Sequence, residues 1–187
     1  MSTTHRSIPL TTPGRLAGAA AAAAAADAAL AWRLGANPAL PAYLAFGAAA
    51  GVVSVSDLVA RRVPNRVTAP LYVAGAALLA VASASTEQWW PLARAGIAMG
   101  ALGGFYLFLG LAVEAGVGMG DVKWAGAIGL FCGWIAWQAV VTATLLAFAA
   151  ASLFVLGRHA VGRGRHRLVP MAPFMAAGAI CAILLAR

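Results

Sequence analysis

The chain has 187 residues, of which 63% are hydrophobic and only 10% charged, and its mean hydropathy is +0.86. An ordinary soluble domain carries about 25% charged residues, so the composition excludes a water-soluble globular protein and a disordered one; the surplus apolar residues have to face lipid. The formal net charge of +8 would point to nucleic acid in a soluble chain, but no soluble basic face is left to carry it, and no nucleic-acid partner is expected.

A backbone in lipid must satisfy its own hydrogen bonds, so apolar stretches of about 17–25 residues read as helices. In chain order they fall at residues 16–32, 40–56, 67–85, 92–113, 124–137, 139–156 and 168–186. The first is mostly alanine and contains Asp27. It reads as a span, although an interfacial segment or a signal-like leader would have the same composition. Residues 1–39 therefore form a tail and an alanine-rich segment, and residues 40–187 a membrane domain. The stretch 124–156 is 33 residues long and carries no charge. As one helix it would be about 50 Å long, against a hydrocarbon core of about 30 Å, so it must turn, and residues 133–138 are the expected place. The fold class is all-α: a polytopic transmembrane helix bundle of about seven spans.

Basic residues orient the spans. Arg6, Arg15, Arg61, Arg62, Arg66, Lys123, Arg158, Arg163, Arg165 and Arg167 share one side, and Arg33, Arg94 and Arg187 the other. Ten against three predicts the N-terminus inside and the C-terminus outside. Trp32, Trp89, Trp90, Trp134 and Trp137 all fall at outer ends, as an interfacial belt does. Glycines recur four apart at Gly47 and Gly51, Gly100 and Gly104, and Gly129 and Gly133, and read as helix-packing positions. Cys132 and Cys181 lie in apolar runs with no CxxC and no Cys/His cluster, so they read as buried thiols; no metal and no cofactor is expected.

Ionisable residues in a membrane chain are functional suspects. Glu87, in a short outer loop, and Glu114, at the end of the fourth span, read as solvated. Asp57 lies where the second span meets the cytoplasm, and Asp121 where the fifth begins, in Gly-Met-Gly-Asp-Val-Lys. The two intervening spans run out and back, so both aspartates return to one face. Two carboxyls close together cannot both ionise cheaply and share a proton. One can then take a proton from water while the other protonates a peptide carbonyl. Gly118 and Gly120 leave the backbone beside Asp121 bare enough for a substrate strand. Lys123 orients the loop or attracts an acidic group. Pro64 is expected to stop the helix after Asp57, and Asn65 to bond its own backbone in a turn. Arg61 and Arg62 read as positive-inside residues. On spacing alone, a pair of boundary aspartates without catalysis remains the better reading.

The motifs resemble those of the type IV prepilin leader peptidases, membrane aspartyl proteases of the GxGD kind. Asp57 is followed by basic residues and Val63-Pro64-Asn65. Gly118-Met119-Gly120-Asp121-Val122-Lys123 runs on through an apolar glycine-bearing helix to Gly133-Trp134. Val169-Pro170-Met171-Ala172-Pro173 opens the last span, with Ala172 in place of the family's usual glycine. The resemblance covers roughly Leu40 to the C-terminus. It implies that Asp57 and Asp121 are catalytic, and that Gly118, Gly120, Lys123, Pro64 and Asn65 support their motifs. It further implies cleavage of the basic leader from prepilins or pilin-like single-span secretion subunits, at the cytoplasmic face of the inner membrane. The paired CxxC motifs of the bifunctional members are absent, so methyl transfer is not implied, and the chain is similar to the short peptidases of tight-adherence pili. Two other classes are weighed against it: a non-catalytic assembly subunit of a pilus or secretion machine, and a proton-coupled transporter. A transporter places acids nearer the bilayer centre.

Overall fold

The structure is a computed structural model that describes residues 13–112, 118–161 and 169–186. It contains seven helices and, among the described residues, no strand: α1 (Pro13–Leu34), α2 (Leu40–Ala60), α3 (Asn65–Thr86), α4 (Trp90–Ala112), α5 (Met119–Ile135), α6 (Trp137–Ala160) and α7 (Ala172–Leu185). The seven apolar segments read from the sequence thus appear as seven helices. By length and composition, α2, α3, α4 and α6 can cross a membrane. Alanine-rich α1 is not among these four, and α7 is a shorter apolar helix of 14 residues. Arg6, Glu114, Arg163, Arg165, Arg167 and Arg187 lie outside the described residues.

The uncharged run breaks where expected, at a single residue. Ala136 is extended (φ −168, ψ 160) and serves as the end of α5 and the start of α6. A one-residue break leaves the last carbonyls of α5 without helical partners. Arg94 of α4 supplies them: its Nε donates to Gly133 O (2.6 Å), and its guanidinium also reaches Trp134 O and Ile135 O. Arg33 of α1 does the same for α7, donating to Leu184 O and Ala186 O. Two arginines read from sequence as orientation signals therefore also close helix C-termini, where a cation is favoured by the helix dipole.

Short α5 is the central pillar. Its residues from Trp124 to Gly133 are all buried, as a helix apolar on every side requires. With little apolar gain from helix association in lipid, close backbone approach matters more. A Cβ on Gly129 would collide with the Ala98 carbonyl of α4, one on Gly133 would lie 3.1 Å from Ala95 Cα, and one on Gly126 would meet the Tyr72 hydroxyl of α3. On another face, Phe46 of α2 stacks on Trp124 (centroids 5.7 Å) and packs on Phe131 (4.7 Å), while Tyr43 donates to Phe131 O (2.7 Å). Gly47 packs against Asp27 of α1, and Gly178 against the Ala143 carbonyl of α6. The glycine pairs do not all behave alike. Gly100 and Gly104 face open space, so the packing role expected of them is not seen. Nor are both thiols buried: Cys132 is, but Cys181 is exposed on α7, because that position faces away from the neighbouring helices.

The alternating helices give the bundle two distinct ends. At one, a cleft is lined by Asn37, Glu87, Trp89, Trp90, Arg94 and Trp134, drawn from three separate connections. Trp32, Trp89 and Trp90 are largely exposed there. At the other end lie the connection from α2 to α3, the start of α5 and the start of α7.

Candidate active site

At this second end α2 continues one turn beyond the apolar run, so Asp57 lies inside the helix and is only 6% exposed. Its carboxylate has a specific partner: the backbone N–H of Ala172, the first residue of α7, donates to Asp57 Oδ2 (3.0 Å). An N–H in the first turn of a helix has no partner in the helix itself, so this bond satisfies the helix end and the buried acid together. The charge of Arg61 also reaches Asp57.

Asp121 is the third residue of α5, in the first turn after Gly118. It is partly buried and takes a backbone hydrogen bond from Gly118. Its carboxyl is raised to about 6, first by burial and second by the negative charge of Asp57, with the Gly118 bond opposing. The charge of Asp57 is therefore felt at Asp121, as expected of two carboxyls that the out-and-back run of α3 and α4 returns to one end. Tyr106 of α4, which sequence reasoning passed over as one more apolar-helix residue, lies within electrostatic reach of Asp121.

The motif residues around the pair are stitched to one another. Arg61 adopts the left-handed conformation (φ 50, ψ 45) and closes α2, its N–H bonded to Asp57 O (2.9 Å). Arg61, not Pro64, thus ends the helix. Pro64 caps the start of α3 (φ −74, ψ 123), where its missing N–H costs nothing. Asn65 does not bond its own backbone: its Oδ1 accepts from Lys123 Nζ (3.0 Å). The Lys123 carbonyl in turn accepts from the Tyr72 hydroxyl (2.6 Å). The Lys123–Asn65 bond therefore ties the start of α5 to the start of α3.

The glycines divide. A Cβ on Gly120 would lie 3.1 Å from Val63 Cβ and 3.4 Å from its backbone nitrogen. The space that the sequence suggested for a substrate strand beside Gly120 is occupied by the chain's own Val63. Gly118 does have open surroundings, with only the Asp121 carboxyl near its Cβ position (3.7 Å). The other acids stay apart from the pair. Asp27 touches Gly47, ten residues along α2 from Asp57, or about 15 Å by helix rise. Glu87 caps α3 at the opposite end.

Besides Tyr106, two features of the site were not read from sequence: the Ala172 N–H and the Tyr72 hydroxyl. The second had a signal, a lone tyrosine in an apolar helix whose hydroxyl must find a partner when buried. The first had none, since every residue but proline carries that N–H.

Residues 44–156, a segment that holds both aspartates, match the type IV leader peptidase family. Two prepilin leader peptidase/N-methyltransferases of Burkholderia pseudomallei, from strains 1026b and K96243, are each 31% identical over 156 residues, covering 76% of this chain and 46% of theirs. The chain thus spans about half the length of the curated relatives it matches. No solved structure matches it. With the matched segment covering more than half of the residues, the chain belongs to the type IV leader peptidase family.

Proposed function

We propose that the protein is an aspartic endopeptidase that removes the basic leader from prepilins or pilin-like secretion subunits, with Asp57 and Asp121 as its catalytic pair. The observation that carries this reading is the meeting of the two carboxyls at one end of the bundle, one buried on a backbone N–H and the other raised by burial and by its neighbour's charge. It acts as a multi-pass protein of the inner membrane, N-terminus in, with the pair at the cytoplasmic face, where an uncleaved basic leader resides. Residues 40–187 form the peptidase domain, preceded by the α1 region.

In the proposed reaction one carboxylate takes a proton from water as the water oxygen attacks the scissile carbonyl carbon. The other carboxyl protonates the carbonyl oxygen. The tetrahedral diol then collapses: the C–N bond breaks, the leaving nitrogen takes the proton held by the first carboxyl, and a diol proton returns to the second. Hydrolysis on this scheme forms no covalent intermediate. A substrate helix must be unwound at the cut, since its backbone groups are already paired. A small residue there suits the open side of Gly118.

The test is leader removal from a co-reconstituted prepilin by the purified protein, read on a gel. Asp57→Asn and Asp121→Asn are each expected to lower the rate by at least about 100-fold, the lower range for lost acid–base catalysis, while still inserting. Retained processing in either variant would overturn the pair and favour a non-catalytic assembly subunit.

A further inference from the structure

We infer that the first turn of α7 decides which aspartate is the base: the Ala172 N–H, seated on Asp57, keeps Asp57 as the ionised member and leaves Asp121 as the proton-bearing acid. This rests on the proposed peptidase reading and assigns roles within it. It concerns a helix that lies beyond the family-matched segment of residues 44–156.

Two neighbouring carboxyls sharing one proton are equivalent until their surroundings differ. Around Asp57 the charged and titratable groups can be named element by element. On α2 itself Arg61 acts on it, and Arg62 follows. From α5 come Asp121, and Lys123, whose ammonium is engaged by Asn65. From α3 there is exposed Arg66, and among the described side chains of α1 the charged ones are Asp27, which meets α2 ten residues away at Gly47, and Arg33, which closes the far end of α7. The described part of α7 holds no titratable group except Cys181, nine residues past Ala172. What α7 brings is its N-terminus, with the N–H of Ala172 at 3.0 Å from Oδ2. A helix N-terminus favours negative charge, and a carboxylate accepts from an N–H more strongly than a carboxyl does. Asp57 is buried, which opposes its charge, but a helix N-terminus and a cation hold that charge against the burial. Asp121 has its own helix N-terminus but faces the charge of Asp57, and its carboxyl is raised to about 6.

The position is built to last. Ala172 is fully buried and lies in the helix, without the positive φ that would demand a glycine. The alanine that departs from the family's usual glycine thus costs the contact nothing. At the far end Arg33 of α1 closes α7, so the short helix is held at both termini.

The experiment replaces Ala172 with lactic acid by cell-free synthesis into nanodiscs. This turns one N–H into an ester oxygen and leaves the side chain unchanged. Leader cleavage is then measured from pH 4 to pH 9. The acidic limb, set by ionisation of the base, is expected to move up by about one pH unit, the tenfold change that one charge-assisted hydrogen bond supports. The alkaline limb stays in place. The same ester at Phe174 moves neither limb. If the ester variant does not fold, Ala172→Pro removes the same N–H at a helix position that accepts proline, with the same expected shift. A move of the alkaline limb alone, a parallel fall at every pH, or an unchanged profile would each overturn the assignment. The peptidase reading fails separately, if Asp57→Asn still cleaves.

Discussion

Asp121 illustrates how a residue acquires its chemistry from neighbours far away in sequence. As the proposed acid of the pair it must hold its proton, and its carboxyl is raised to about 6 by burial and by Asp57. Activity is therefore expected to fall as pH rises through about 6, and to fall again on the acid side as the other carboxyl protonates, giving a bell-shaped profile. In Asp57→Glu, if active, the alkaline limb should shift as the charge felt by Asp121 moves. A profile flat from pH 5 to pH 8 would contradict the shared proton. Lys123 and Asn65 offer a second test. Each of Lys123→Met and Asn65→Ala removes one partner of a single exposed hydrogen bond, so each should lower activity several-fold, and the double variant no further. Fully additive losses would show that Lys123 acts on something other than Asn65. Gly120 and Gly118 looked alike as letters in one motif. Their difference, one against Val63 and the other open, arises from a loop 57 residues earlier, beyond the reach of local spacing.

At the scale of elements, the short α5 depends on partners that hold both its side and its end. Arg94→Ala strips three carbonyls of their donor. The expected cost is about 2–3 kcal/mol, that of hydrogen bonds to a charged group, seen as a lower melting temperature in detergent. Arg94→Lys should recover only part of it, because an ammonium has no planar fork. Gly129→Ala, which drives a methyl into the Ala98 carbonyl, should melt earlier, whereas Gly100→Ala and Gly104→Ala, in open space, should not. Equal losses at all three glycines would mean that the helix faces are misassigned. The turn in the long apolar run was legible because one helix of that length overshoots the bilayer. The device that makes a one-residue turn possible was not, since Arg94 lies about 40 residues earlier on another helix.

For the whole molecule, the consequence of alternating helices is a chemical difference between the two ends: tryptophans and capping arginines at one, the aspartate pair and its loop at the other. The proposed topology, drawn from the ten-to-three distribution of basic residues, puts the aspartate end at the cytoplasm. A cysteine placed at Glu87 should therefore react with an impermeant thiol reagent added to intact cells, and one placed at Arg163 should not, in a background where Cys132 and Cys181 are replaced by alanine. The reverse pattern would place the aspartates outside, away from any uncleaved leader, and the proposed function would fail with it.

Composition and period were enough to determine the seven apolar helices, the place of the break near Ala136 and the return of Asp57 and Asp121 to one end, because the bilayer's thickness and the demand for backbone hydrogen bonds leave a chain few alternatives. The two motifs that carry the family resemblance were likewise legible, being written in side chains. Only the tertiary structure decided how that end is wired: Arg61 rather than Pro64 closing α2, Val63 filling the space beside Gly120, Lys123 bonded to Asn65, and α7 presenting a main-chain N–H to Asp57. The physical reason is that these contacts join helices distant in sequence and depend largely on backbone groups, which are the same at nearly every residue and acquire meaning only from where the fold brings them.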